Sequence, residues 1–256
     1  PRQLKITFLG TGTSQGVPVI GCKCSACRSE DPRDRRLRSS ILVEDQGEIV
    51  VVDTGPDFRQ QMLSADPGHL DGVIYTHEHR DHIAGLDDIR AYNFIQKGPM
   101  DIFAEERVLR ALQTGFPYVF AEKRYPGVPR VIPHMIDLEP FRVGSMEIIP
   151  VRLMHYRLPV LGFRFGDFAY LTDGNYISES EKEKLYGVKY LVVNALRREN
   201  HISHFTLSQA VELILELSPR QGFLTHLSHQ MGPAVDMEGE LPSHIRPAYD
   251  GLVLEV

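Results

Sequence analysis

Three cysteines in 256 residues are too few, and too odd a number, for a disulfide scaffold. Long hydrophobic runs are also missing: none approaches the ~20 residues of a membrane-spanning helix. Nor is there an excess of positive charge. Twenty-eight Lys and Arg against 34 Asp and Glu leave a net charge of −6. A non-specific nucleic-acid binder or an anionic-membrane binder would work through a basic surface, so both are disfavoured. No charged start, apolar stretch and small-residue cleavage site opens the chain, and a reducing cytosol is the expected compartment. Repeats, low-complexity tracts and Gly/Ser linkers are absent as well. With 42% apolar residues, the length suits one continuous domain over residues 1–256.

Histidine is what the chain has in plenty. Seven of its 11 histidines fall in tight groups: His77/His79/His82, His201/His204 and His226/His229. Histidine at such density marks metal binding or proton movement. His69, His134 and His244 stand alone and read as surface residues.

Short β-branched runs bounded by Gly, Pro or Asp recur at residues 4–9, 41–43, 49–53, 73–76, 146–151, 191–193, 223–225 and 252–256, and predict strands. Gly166-Asp167, between two more such runs, predicts a two-residue hairpin. Helical periodicity covers residues 58–65, 85–94 and 108–115. The clearest helix is Leu207–Leu217, with Thr206 as its N-cap and Pro219 beyond its end. Strands in runs with helices between them predict an α/β (α+β) class with mixed sheets covered by helices. Pro126, Pro129 and Pro133 mark an irregular stretch, expected to be a linker between halves or a flap. Arg33, Arg35, Arg36 and Arg38 read as a solvated lead-in to a strand. Gly10-Thr11-Gly12, with Gly16, reads as a tight turn beneath the site.

The chemistry concentrates in His77-Glu78-His79-Arg80-Asp81-His82, directly after the 73–76 strand. Packing does not explain four potential ligands in six residues, because such side chains lose by burial. Imidazole and carboxylate suit Zn²⁺, Mn²⁺ or Fe²⁺. With Gly85, the segment reads His-x-His-x-Asp-His-x-x-Gly. Together with Leu9-Gly-Thr-Gly-Thr-Ser, Val52-Asp53-Thr-Gly, a later lone His, an Asp after a strand and a final His, it resembles the metallo-β-lactamase superfamily along nearly the whole chain. That resemblance implies an αββα sandwich with two metals at one edge. It assigns His77, His79 and His155 to one metal, Asp81, His82 and His226 to the second, and Asp173 to the bridge. It makes Asp53 a carboxylate that orients a ligating histidine.

Cys22-Lys-Cys24-Ser-Ala-Cys27 holds every cysteine. Three thiolates can occupy three corners of a tetrahedral structural zinc site, with His229 as the candidate for the fourth. Cys-x-Cys-x₂-Cys early and Thr-His-x-Ser-His late resemble the phosphoribosyl cyclic phosphodiesterase branch of the superfamily. Related cysteine spacing occurs in the B protein of pyrroloquinoline quinone biosynthesis. The tRNA 3′-end-processing nuclease is similar around His204. That nuclease carries a basic arm between the lone His and the bridging Asp, and the 17 residues between His155 and Asp173 leave no room for one.

The expected activity is hydrolysis of a small, cyclic sugar phosphodiester by a hydroxide shared between two divalent metals, Zn or Mn. A third, structural Zn is expected at the cysteines. His204 is the expected proton donor, His201 its alternative, and Asp81 counts with the catalytic group. A small-molecule substrate is expected, with no membrane partner, nucleic acid disfavoured, and a homodimer from resemblance. The rivals are a nuclease, thioesterase or lactonase of the same fold, or a non-hydrolytic cofactor-biosynthesis protein.

Overall fold

Each central strand feeds two cores at once. In Glu48–Val52, Ile49 and Val51 pack into one apolar cluster, Val50 and Val52 into another. In Tyr190–Asn194, Val192 joins the second cluster and Leu191 and Val193 a third. This is the period-two alternation of strands buried on both faces. The computed structural model describes residues 4–123 and 125–256. Among them lie two seven-stranded sheets.

The first sheet contains β1 (Leu4–Gly10), β2 (Ser40–Asp45), β3 (Glu48–Val52), β4 (Gly72–Ile74), β5 (Met100–Ala104) and β6 (Val131–Met135). The second contains β7 (Phe141–Val143), β8 (Met146–His155), β9 (Leu158–Phe165), β10 (Phe168–Leu171), β11 (Tyr190–Asn194), β12 (Gln221–Thr225) and β13 (Ile245–Pro247), and β14 (Val253–Glu255) returns to pair with β1. Within each sheet the pairing begins antiparallel and turns parallel, at β3–β4 and at β10–β11. Ile6, Phe8, Val50 and Ile74 of one sheet meet Ile148, Phe163, Val192 and Phe223 of the other in the central core. The helices Phe58–Ala65 and Glu106–Gly115 cover the outside of the first sheet, and Leu207–Leu217 the outside of the second. The result is the αββα sandwich expected from the sequence.

Leu207–Leu217 forms over the expected residues. The Thr206 hydroxyl accepts from the Gln209 amide while the Gln209 side chain accepts from the Thr206 amide, a reciprocal cap. Ser218, at φ +49°, ends the helix before Pro219. The Gly166-Asp167 hairpin also forms, with Gly166 at φ +56°.

Five expectations need correction. Residues 85–94 do not make one helix. A 3-10 turn over Leu86–Ile89 precedes an α-helix over Arg90–Gln96, because the three-residue spacing of the buried Leu86 and Ile89 suits the tighter repeat. Pro133 lies in no linker: it sits inside β6, paired only to β5, where an edge strand tolerates a missing amide hydrogen. Gly10–Gly12 is not itself a turn; the tight turn follows it, closed by the Gly16 amide on the Thr13 carbonyl, with Gly16 at φ +67°. The chain leaves β1 extended, and Gly12 bridges Arg38 and Leu227. The 146–151 strand runs on to His155 itself. Arg36 is not solvated: it is buried, and its guanidinium donates to the Ala248 carbonyl and the Thr11 hydroxyl. No helix among the described residues is long and apolar enough to cross a membrane.

Candidate metal centre

Both sheets end in turns along the same edge. Asp53 follows β3, the His77–His82 segment follows β4, His155 ends β8, Asp173 follows β10 and His226 follows β12. Two glycines let the turns nest. A Cβ on Gly85 would stand 2.1 Å from the Gly55 carbonyl oxygen, and one on Gly55 would stand 2.2 Å from that of Asp81. The contact between Asp53-Thr-Gly and the histidine motif therefore excludes any side chain at either position. The Thr54 amide donates to the His82 carbonyl and the Gly85 amide to that of Thr54, locking the pair.

The donor atoms of His77, His79, His155 and Asp173 lie within 4.8 Å of one another, as do those of Asp81, His82, Asp173 and His226. Asp173 belongs to both groups. The His82 Nδ1–H donates to Asp53 Oδ2 at 2.6 Å, so the neutral ring would carry its lone pair at Nε2. That Nε2 nevertheless lies 3.1 Å from Asp173 Oδ2 and 3.3 Å from Asp81 Oδ2, both acceptors. The Thr76 hydroxyl donates to Asp53, so it accepts from His77 Nδ1–H and leaves His77 Nε2 a lone pair as well. His155 Nδ1–H donates to the Ser203 carbonyl at 2.8 Å, which frees its Nε2. Neither ring nitrogen of the buried His226 has a hydrogen bond, though Nε2 lies 3.1 Å from Asp173 Oδ1. The carboxylates call for positive charge among them, carried either by protons on His82 and His226, which those carboxylates raise against burial, or by cations bound at the ring nitrogens. The spacings also match a tetrahedral edge of about 3.3 Å around a zinc ion with ~2.0 Å bonds.

Electrostatics keep the carboxylates ionised. Burial pushes Asp173 and Asp81 up, but the neighbouring histidines win: His226 and His82 hold Asp173 well below the usual carboxylate range, and His82 does the same for Asp81. Burial likewise opposes charge on His226, yet Asp173 and Asp81 raise it to about 9. His77, with burial dominant, is lowered well below the ordinary imidazole value. Asp53 (φ +66°), Asp173 (φ +63°) and His226 (φ +55°) all adopt left-handed backbone at these strand ends. Such non-glycine residues cost on the order of 1–3 kcal/mol each and cluster at functional sites.

His204 is buried beside this edge. Its ring centroid lies 4.5 Å from that of His155 and 4.9 Å from that of His226, and its Nδ1 has no partner. Burial, then His226, push its pKa down to about 3. Thr206 caps the following helix, so His204 does not. His201 lies one ring farther out, 5.2 Å from His204. His69, His134 and His244 are elsewhere; the first two face Asp71 and Asp101.

Cys22, Cys24, Cys27 and His229 form a third group with donors within 4.8 Å. His229 Nδ1 is 3.2 Å from the Cys22 sulfur and 3.4 Å from that of Cys24. The Cys27 amide lowers the Cys24 thiol to about 6, and burial raises Cys27 to about 11. The 3-10 turn His229–Met231 begins three residues after His226, which ties this group to the main site.

Some of the support had no local signal in the sequence. Arg107 pairs with Glu78 and also donates to the Pro159 carbonyl, clamping the motif to the start of β9. Ser203 contributes through its backbone carbonyl, which any residue type would supply.

Fold and site together define a class, and the comparisons agree. The chain belongs to the beta-lactamase superfamily, whose domain matches residues 48–227. Within it the chain falls in the PhnP-like branch: the crystal structure of a new diphosphatase from the PhnP family is 38% identical, with a TM-score of 0.93 over 99% of this chain and 97% of that one. An octanoyltransferase of Porphyromonas gingivalis is 41% identical over 97% of this chain. Coenzyme PQQ synthesis protein B of Rhodopseudomonas palustris is 30% identical over 43% of it. The chain spans only 51% and 38% of these two relatives, so their names describe longer proteins.

Proposed function

We propose that this chain is a metal-dependent phosphodiesterase acting on a small, cyclic sugar phosphodiester. The observation that carries this reading is the pair of donor groups sharing Asp173. His77, His79 and His155 would hold one divalent cation, Asp81, His82 and His226 a second, with Asp173 common to both. When bound, the cations would supply a water of lowered pKa and draw charge off the phosphoryl oxygens. Asp53 fixes the tautomer and direction of His82, and the Ser203 carbonyl does so for His155. His204 reaches over the same edge from the opposite loop, where it can give a proton to a departing alkoxide. A phosphate oxyanion beside the ring would favour the protonated form that burial alone opposes.

Size and charge favour a small substrate. Residues 156–172 are used up by β9, β10 and their tight turns, which leaves no basic arm for tRNA. The metal-loaded protein is expected to cleave bis(p-nitrophenyl) phosphate and small cyclic diesters. Phosphomonoesters should be poor substrates and precursor tRNA should stay intact. A panel of diesters, monoesters, thioesters, lactones and precursor tRNA checks this, and site-specific tRNA trimming would overturn it.

The cysteine group would hold a structural zinc. Zinc binding contributes directly to folding free energy, and each kcal/mol lost lowers Tm by about 2–4 °C at this size. Cys24→Ser should therefore lower Tm by several degrees and remove one zinc while the other two cations stay. Unchanged melting and zinc content would show three ordinary thiols.

A further inference from the structure

His226 is aimed differently from the other buried histidines of the metal centre. His82 Nδ1 is held by Asp53, His77 Nδ1 by Thr76 and His155 Nδ1 by the Ser203 carbonyl. His226 Nδ1 has no hydrogen-bond partner among the described residues. The direction of its ring therefore depends on its backbone, which is left-handed at φ +55°. The next residue, Leu227, is strapped to the segment that leaves β1. Its amide donates to the Thr11 carbonyl at 2.9 Å, and its carbonyl accepts from the Thr13 amide at 3.1 Å. Whatever fixes Thr11 therefore fixes the peptide that follows His226.

Thr11 is fixed by a buried pair of opposite charges. Its hydroxyl donates to Asp250 Oδ1 at 2.7 Å and accepts from the Arg36 guanidinium at 2.9 Å. The same guanidinium donates to the Ala248 carbonyl, and Asp250 Oδ2 accepts from the Leu37 amide at 2.6 Å. Three segments far apart in sequence thus meet at one hydroxyl. Burial opposes both charges: it pushes Asp250 up to about 6, and it lowers Arg36 against the pull of Asp250 and Asp34. Apolar residues in place of a buried ionic group are often neutral or stabilising, whereas such groups are known to fix register. Positioning therefore accounts for this pair better than stability does. Neither Asp250 nor Arg36 belongs to a donor group, so any effect on the metal centre passes through Thr11.

We propose that Asp250 and Arg36 are positioning residues, which hold Thr11 and through it the backbone that aims His226 at the second cation. The inference rests on the two-cation reading proposed above. The test compares T11V, which keeps the shape and loses the hydroxyl, with T11S, which keeps the hydroxyl. Cation affinity is read by zinc titration against a competing chelator, alongside Tm and hydrolysis of bis(p-nitrophenyl) phosphate. Losing a group that orients a ligand typically costs about 10–100-fold in metal affinity or activity. T11V should weaken one of the two cations beyond the cysteine site by about that factor and lower kcat with it, with KM little changed. T11S should recover most of both. A merely structural hydroxyl would lower Tm and leave the affinity and kcat of the folded protein at wild-type values. That result would overturn the inference, as would a T11S loss equal to that of T11V. Should T11V not fold, D250N carries the same test, because its amide cannot accept from both Thr11 and Leu37; wild-type cation affinity in folded D250N would overturn the inference. A wild type that binds both cations and hydrolyses no diester removes the proposed reaction and leaves the affinity test in force, whereas a wild type that binds neither removes both.

Discussion

Asp173→Asn should lower diester hydrolysis by about 10³-fold or more and leave the fold intact. Asn matches the shape of Asp, and the Thr172 hydroxyl can still donate to its side-chain oxygen. What disappears is the one charge common to both donor groups. Without it, His82 Nε2 and His226 Nε2 face a neutral amide. A Lewis-acid contribution of several kcal/mol is at stake, and each 1.36 kcal/mol is tenfold in rate. Metal content should fall together with kcat, read by elemental analysis of the same preparation. Near wild-type turnover in the variant would mean that the shared carboxylate is not part of the reacting centre.

His204→Ala should separate two kinds of leaving group. A sugar alkoxide is too basic to leave without a proton, and losing a general acid typically costs about 10²–10⁴-fold. p-Nitrophenolate leaves unaided, so the loss on bis(p-nitrophenyl) phosphate should be much smaller. The variant must keep its metals for the comparison to hold. His204 makes ring contacts with His155 and His226 but has no hydrogen bond at Nδ1, so removing it leaves no new polar group unpaired there. Equal losses on both diesters would assign His204 to placing the phosphate and move proton donation to His201 or to water.

How much of this was legible depends on how local each signal is. The His77–His82 segment declares itself because four donors crowd six positions. Leu207–Leu217 does so because cap, periodicity and terminator agree. His155, Asp173 and His226 are single residues, and only the order of motifs in a family singles them out; the fold then brings them to one edge. Arg36 misleads for the same reason in reverse. Its neighbours in sequence make a basic run, but its partner Ala248 lies 212 positions away. Pro133 misleads because a proline reads as a breaker unless the strand is known to lie at an edge.

The central claim is tested most directly by steady-state hydrolysis of bis(p-nitrophenyl) phosphate after metal removal and stepwise reloading. Chelation should bring turnover to background. Zn²⁺ or Mn²⁺ should restore it, with full activity at about two equivalents beyond the cysteine site. Diester hydrolysis that persists in the stripped protein, or a reloaded protein that hydrolyses thioesters or lactones but no phosphodiester, would contradict the account.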